Sequence, residues 1–283
     1  MNRQTFFDYA RRAPFGGSLS PEQVQGCEAI LGAWTGTDDR QLAYVLATAF
    51  HETAGTMAPV REGSTRTRRL TDAQARRVVA RYRYGKPDAE TGHVYYGRGL
   101  VQLTWKRNYA KMGQAFGVDL VNNPDLALDL KLSAKILIEG MTQARTNVCD
   151  FTNKCLSDYF NATTDDPEGA RRIVNGTDKA SLIAGYQKNF LDSLNAARAS
   201  EASDVKLVGL SESPKLVKDK SAIGGGLLTL AGAGGAATAV KPILEGIANP
   251  YAFGAFVLIV LLACVGGYLF LTGRLQSIRR TGV

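Results

Sequence analysis

Ala49-Phe50-His51-Glu52-Thr53-Ala54-Gly55 closes a strongly patterned helical stretch and sets one carboxylate among mostly apolar neighbours. Counting back from Glu52, Ala49, Thr48 and Val45 share its helix face. That face is apolar apart from one hydroxyl, so it is expected to be buried. A carboxylate there is partly desolvated, which favours its protonated form, and Thr48 could temper this by donating a hydrogen bond to the ionised form. A carboxylic acid that keeps its proton can serve as a general acid. A salt-bridged glutamate at a helix end is the plainer alternative, and the helix alone leaves both open.

Upstream, Ser20-Pro21-Glu22-Gln23 predicts a capped helix start with proline in the first turn. Val24, Cys27, Leu31 and Trp34 then recur at helical spacing. Gly36-Thr37-Asp38-Asp39 reads as a turn, with Asp38 or Asp39 capping a helix through Leu42, Val45, Leu46 and Ala49 to Glu52; Gly55 is its natural stop. Downstream, 57–92 is basic and polar, with a short helix expected over 72–84 and loop elsewhere. In Val101-Gln102-Leu103-Thr104-Trp105 the alternation predicts a half-buried strand. Helices are expected from Tyr109 to Phe116, from Asn123-Pro124 through Leu130 and Leu137, briefly at 156–160, and from Ala180 to Ala197. Gly97-Arg98-Gly99 is no dinucleotide fingerprint, because the third glycine and the strand–helix order are missing.

The chain has 283 residues and a net charge of +8, a balance that favours anionic partners. No nucleic-acid module is recognisable, so no nucleic-acid partner is expected. Cys149 and Cys155 are close enough to pair in an oxidising compartment, although reduced thiols fit equally; Cys27 and Cys264 read as small apolar fillers. Residues 1–16 carry Asp8, Arg11 and Arg12 and do not form a signal peptide. His51-Glu52 is not a zinc-protease motif, because Gly55 stands where the second histidine belongs. No metal and no cofactor is expected, and a serine or cysteine nucleophile lacks a histidine partner.

His51-Glu52-Thr53, Tyr95-Tyr96-Gly97-Arg98-Gly99 through Gln102-Leu103-Thr104 to Asn108-Tyr109, Asn123-Pro124-Asp125-Leu126 and Val174-Asn175-Gly176 occur in that order. Together they resemble the chitinase-type glycoside hydrolases of family 19, including phage endolysins of that family, over 43–186. The resemblance implies a mainly α, lysozyme-like two-lobed domain with a small β element and a deep cleft. It implies inverting hydrolysis of β-1,4 bonds in N-acetylglucosamine polymers, with Glu52 as general acid. Thr104 and Asn108 would help to position the attacking water. Gln102 and Asn175 would bind substrate, with Tyr95, Tyr96 and His51 lining or supporting the cleft. Inversion needs a second carboxylate about 6.5–9.5 Å from the first. Glu62, ten residues on and before a glycine, is the expected base, with Asp88 and Glu90 as competitors. An arginine of the family's last helix is absent, Leu182 lies nearby, and Lys179 is the expected source of that charge.

The hydrolase domain is expected to span 1–199, followed by a lysine-rich linker at 200–220 and a membrane region at 221–283. Residues 252–272 are uncharged, strongly apolar and long enough to span a bilayer, and 221–240 could form a second, glycine-rich span. Positive flanks predict a hairpin with both ends cytoplasmic if both cross. The expectation is one or two transmembrane helices, a C-terminal anchor in a host or virion membrane, and contact with membrane lipid. That tail favours peptidoglycan glycan strands over chitin as substrate. An inactive, glycan-binding or holin-like protein is the alternative from another class, and the sequence does not set the oligomeric state.

Overall fold

The structure is a computed structural model and describes residues 1–142 and 151–211. It is mainly helical: α1 (Arg3–Arg12), α2 (Pro21–Ala33), α3 (Asp39–Glu52), α4 (Asp72–Val79), α5 (Lys106–Phe116), α6 (Leu130–Thr142), α7 (Leu156–Tyr159) and α8 (Ala180–Ser211). Two short strands, β1 (Val60–Arg61) and β2 (Arg98–Gly99), pair antiparallel with Val60 opposite Gly99 and Arg61 opposite Arg98.

The helix starts follow local chemistry. Ser20 accepts from the Gln23 amide while the Gln23 side chain accepts from the Ser20 amide, closing the expected capping box. Asp38 caps α3 through the Arg40 amide. Gln23 then does a second job: its Nε2 donates to Gly55 O at 2.8 Å. The start of α2 therefore fixes the turn that follows Glu52. Gly26 completes this contact, because a Cβ there would lie 1.8 Å from Met57 O.

Leu42 to Ala49 of α3 are all buried. α8 packs along α3 and α1, and Phe50 meets Tyr186 and Phe15 edge-on at 4.8 and 5.2 Å. The long helix α3 is thus the spine of the larger core, and Glu52 stands at its end. A second, smaller cluster gathers Leu70, Ala75, Val79, Val94 and Tyr96, with Tyr84 against it.

Three expectations need correction. Residues 101–105 form no strand. Gln102 (φ 54°) and Trp105 (φ 74°) take left-handed backbone, and Leu103 folds back to bridge Arg98, so the alternation encodes a tight loop. The helix expected from Asn123 to Leu137 is a 3-10 turn at Pro124–Leu128 followed by α6. The last helix continues to Ser211, through the first half of the expected linker at 200–220. The start of the chain also holds a helix, α1, that the sequence reading did not draw; Asn2 caps it and its N–H donates to Ala197 O.

The membrane localisation is corrected too. No helix among the described residues is long and apolar enough to cross a membrane. The segments 221–240 and 252–272 that carried it, and the hairpin drawn from them, lie outside the described residues. Cys149 and Cys264 also fall outside them. Cys155 is a buried free thiol, and Cys27 is buried with its thiol pushed up by desolvation.

Among the described residues Arg98 is the most deeply buried arginine, 1 % exposed. Its guanidinium donates to Asp125 at 2.8 Å, Asp72 at 3.3 Å, Val94 O at 3.0 Å and Tyr109 Oη at 3.1 Å. The Tyr96 ring lies 3.7 Å below it. Replacing it with methionine keeps the volume but removes the donor to Val94 O and the buried cation between Asp72 and Asp125. Arg98→Met is expected to cost about 2–4 kcal/mol, read as a lower midpoint in urea unfolding.

Candidate active site

Both candidate carboxylates reach one cavity of about 520 Å³, lined by His51, Glu52, Glu62, Tyr84, Val101, Gln102, Thr104, Trp105, Val174 and Asn175. Five separate pieces of chain build it. His51 and Glu52 come from the end of α3, Glu62 from the turn after β1, Tyr84 from the 3-10 turn at Arg83–Gly85, and the remainder from the loop after β2 and the segment before α8.

Glu52 is 16 % exposed and paired: Arg171 Nη1 lies 2.7 Å from its Oε1. Arg171 is itself 4 % exposed and donates through Nε to Asp178 O. The salt-bridged alternative is therefore what the structure contains. Thr48 does not temper the acid, because its hydroxyl donates to Tyr44 O. Lys179, the expected source of charge, instead lines a separate cavity with Arg172 and Leu182. Arg171 was missed. It sits four residues before Asn175 beside Arg172, and only the 3-10 turn at Gly169–Ile173 buries the first and exposes the second.

Glu62 is held by two donors. The Gly97 amide reaches its Oε2 at 2.9 Å and the Tyr84 hydroxyl its Oε1 at 2.7 Å. Burial and the Glu62 carboxylate push the Tyr84 phenol up, so it stays a donor. Both competitors stand elsewhere. Asp88 and Glu90 share Lys106 at 2.8 and 2.5 Å, and the Lys106 hydrogen bond brings Asp88 down to about 2. Neither lines the cavity.

The polar residues around the pair are largely braced. Thr104 Oγ1 donates to Gln102 O at 2.7 Å, and Asn108 Nδ2 donates to Thr104 O at 2.8 Å. Asn108 lines the adjoining cavity with Gln102, Thr104 and Asn175's neighbour Val174. Gln102 Nε2 donates to Val60 O and Gly99 O, which stitches the loop to both strands. Asn175 is exposed on the cavity wall. Of the two expected roles for Tyr96, lining or supporting the cleft, its burial leaves support. It is fully buried and donates to Asp72 at 2.7 Å, so it supports the wall from behind.

Two carboxylates thus line one cleft, Glu52 beside a guanidinium and Glu62 held by neutral donors, residue types that acid–base hydrolysis uses. The chitinase class I profile of glycoside hydrolase family 19 matches residues 27–167. Rice "Chitinase 11" is 33 % identical over 224 residues, covering 64 % of this chain and 79 % of its own length. A grape "Basic endochitinase" is 39 % identical over 106 residues, 36 % of this chain and 33 % of its own. A solved bacterial family 19 chitinase aligns at 24 % identity over 68 % of this chain and 94 % of its own, with a TM-score of 0.42.

The chain belongs to the family 19, chitinase class I glycoside hydrolases. It spans about a third of the length of the grape endochitinase and of the cacao endochitinase that it also matches.

A side chain at Gly97 would crowd the ends of the Glu62 and Gln102 side chains. A Cβ there would lie 3.1 Å from Glu62 Oε2 and 2.9 Å from Gln102 Oε1. Gly97→Ala should push Glu62 off its donors and lower kcat by about 10²-fold, with the circular dichroism spectrum unchanged.

Burial pushes His51 below its ordinary value of 6.5, against the opposing pull of Glu52. The unfolded chain then binds its proton first, so stability is lost as pH falls below about 6.5 and levels off once the folded histidine titrates. Urea unfolding at pH 7.5 and 5.0 should show a smaller difference in His51→Gln than in the parent chain.

Proposed function

We propose that the chain is an inverting glycosidase that cuts β-1,4 bonds in polymers of N-acetylglucosamine, with chitin-type chains as the first substrate. The observation that carries this reading is the joint placement of Glu52 and Glu62 on one cleft with Gln102, Thr104 and Asn175. The names of the relatives support the choice of chitin.

In the proposed step, Glu52 gives its proton to the glycosidic oxygen as the bond from the anomeric carbon to that oxygen breaks. Glu62 takes a proton from a water molecule whose oxygen attacks the same carbon from the opposite face. Donation leaves Glu52 as a carboxylate, which the Arg171 guanidinium stabilises at 2.7 Å. Glu62, anchored by Gly97 and Tyr84, keeps its lone pairs aimed into the cleft. Thr104 and Asn108 shape the floor on which the water sits.

Peptidoglycan is the second reading, and the basic balance of the chain favours it. The membrane tail expected to favour it over chitin lies outside the described residues.

Release of new reducing ends from chitin oligomers and from purified peptidoglycan tests the reading. Glu52→Gln and Glu62→Gln should each lower turnover by about 10²-fold or more while unfolding as the parent chain does. A folded parent chain that releases nothing from either polymer would remove the catalytic reading and leave the glycan-binding alternative.

A further inference from the structure

Residues 61–86 contain nine arginines and lysines against two carboxylates. Most of the chain's net charge of +8 therefore sits in a stretch under a tenth of its length. Both carboxylates are already engaged, Glu62 by Tyr84 and Gly97 and Asp72 by Arg76, Arg98 and Tyr96. Arg66, Arg68, Arg77, Arg83 and Lys86 are exposed. Among the described residues they make no ion pair, although like charges this dense repel one another.

This basic shell adjoins the cleft. Val78 and Leu70 of the small lobe pack onto Gly63, the neighbour of Glu62, where a Cβ would meet them at 3.0 and 3.1 Å. Tyr82, 38 % exposed, stacks on Tyr84 at 5.3 Å and 12°, and Tyr84 meets Trp105 edge-on at 5.5 Å. Arg81 lies 4.9 Å over the Tyr82 ring. An aromatic row thus leads from the cleft to Arg81, within the same basic stretch.

We infer that the surface formed by Arg66, Arg68, Arg77, Arg83 and Lys86 binds carboxylate groups carried by the same glycan whose backbone enters the cleft. The proposal rests on the glycosidase reading of the cleft and adds to it a preference for glycans that carry carboxylates. Guanidinium groups recognise carboxylates in bidentate fashion, and the stacked tyrosines offer faces to sugar rings. A nucleic acid fits less well, because no nucleic-acid module is recognisable in the sequence. A bilayer fits less well too, because the large apolar side chains exposed on this lobe are Val78 and Tyr82.

The test compares carboxymethyl chitin with neutral glycol chitin on the full chain and on a triple variant, Arg66→Glu, Arg68→Glu and Arg77→Glu. At low salt, the triple variant should raise KM for carboxymethyl chitin about tenfold, leaving kcat and all constants for glycol chitin unchanged. Raising NaCl to 0.5 M, about the order at which screening closes to a few Å, should do the same to the parent chain. Equal effects on both polymers, or none, would overturn the proposal while leaving the glycosidase reading in place. Co-sedimentation of Glu52→Gln with each polymer, with and without the triple change, reads the surface without turnover. If the triple change leaves carboxymethyl chitin binding intact but abolishes binding to phosphatidylglycerol vesicles or single-stranded DNA, the surface belongs to another polyanion and the proposal fails.

Discussion

The buried guanidinium of Arg98 is the constraint on which the small lobe and the cleft depend. It is a cation with almost no contact with water, and it is tolerable only because every direction around it is occupied. Asp72 from α4, Asp125 from the turn before α6, Tyr109 from α5 and the backbone of 94–96 all converge on it. Four parts of the chain are thereby fixed to one planar group. The short pairing of β1 with β2 is built on the same residue, since Arg98 faces Arg61 in the ladder. That pairing brings Gly97 to Glu62. A packing requirement far from any reacting atom thus ends as the aim of a carboxylate.

The two carboxylates are positioned by different physics. Glu52 stands at the end of a helix whose whole inner length is buried, so its backbone is set by core packing. The Gln23 hydrogen bond to Gly55 and the close approach of Gly26 to Met57 fix the turn beyond it. Glu62 follows a strand of two residues, which alone orders little. Its position comes from an amide and a phenol, and from the absence of a side chain at Gly97. Glu52 is held through its backbone and Glu62 through its hydrogen bonds.

Much of this was legible in the sequence, because it is written in local patterns. The capping box at Ser20–Gln23 and the apolar face of 42–49 need only helix geometry to be read, and Glu52 follows from them. The joint motif order through Tyr95–Tyr109 placed Gln102, Thr104 and Asn108 near one another. What failed has a common cause in tertiary contacts. The period of two at Val101–Trp105 looks like a strand because a tight loop with two left-handed residues can also alternate its side chains. Arg171 could not be told from Arg172, because a one-residue difference in burial is set by what the turn packs against. Tyr96 reads as a cleft aromatic and is instead the ring beneath Arg98. The apolar runs after residue 220 are strong sequence signals that lie outside the described residues.

The central claim is that Glu52 and Glu62 act from opposite faces of one sugar, with room for water between them. The anomeric configuration of the first product tests it most directly. Proton NMR during the first minutes of hydrolysis of a β-linked N-acetylglucosamine oligomer should show the α-anomer at the new reducing end, with the β-anomer rising only as the sugar equilibrates. A β-anomer formed first would mean retention, which requires a different partner for Glu52 and would contradict the arrangement described here.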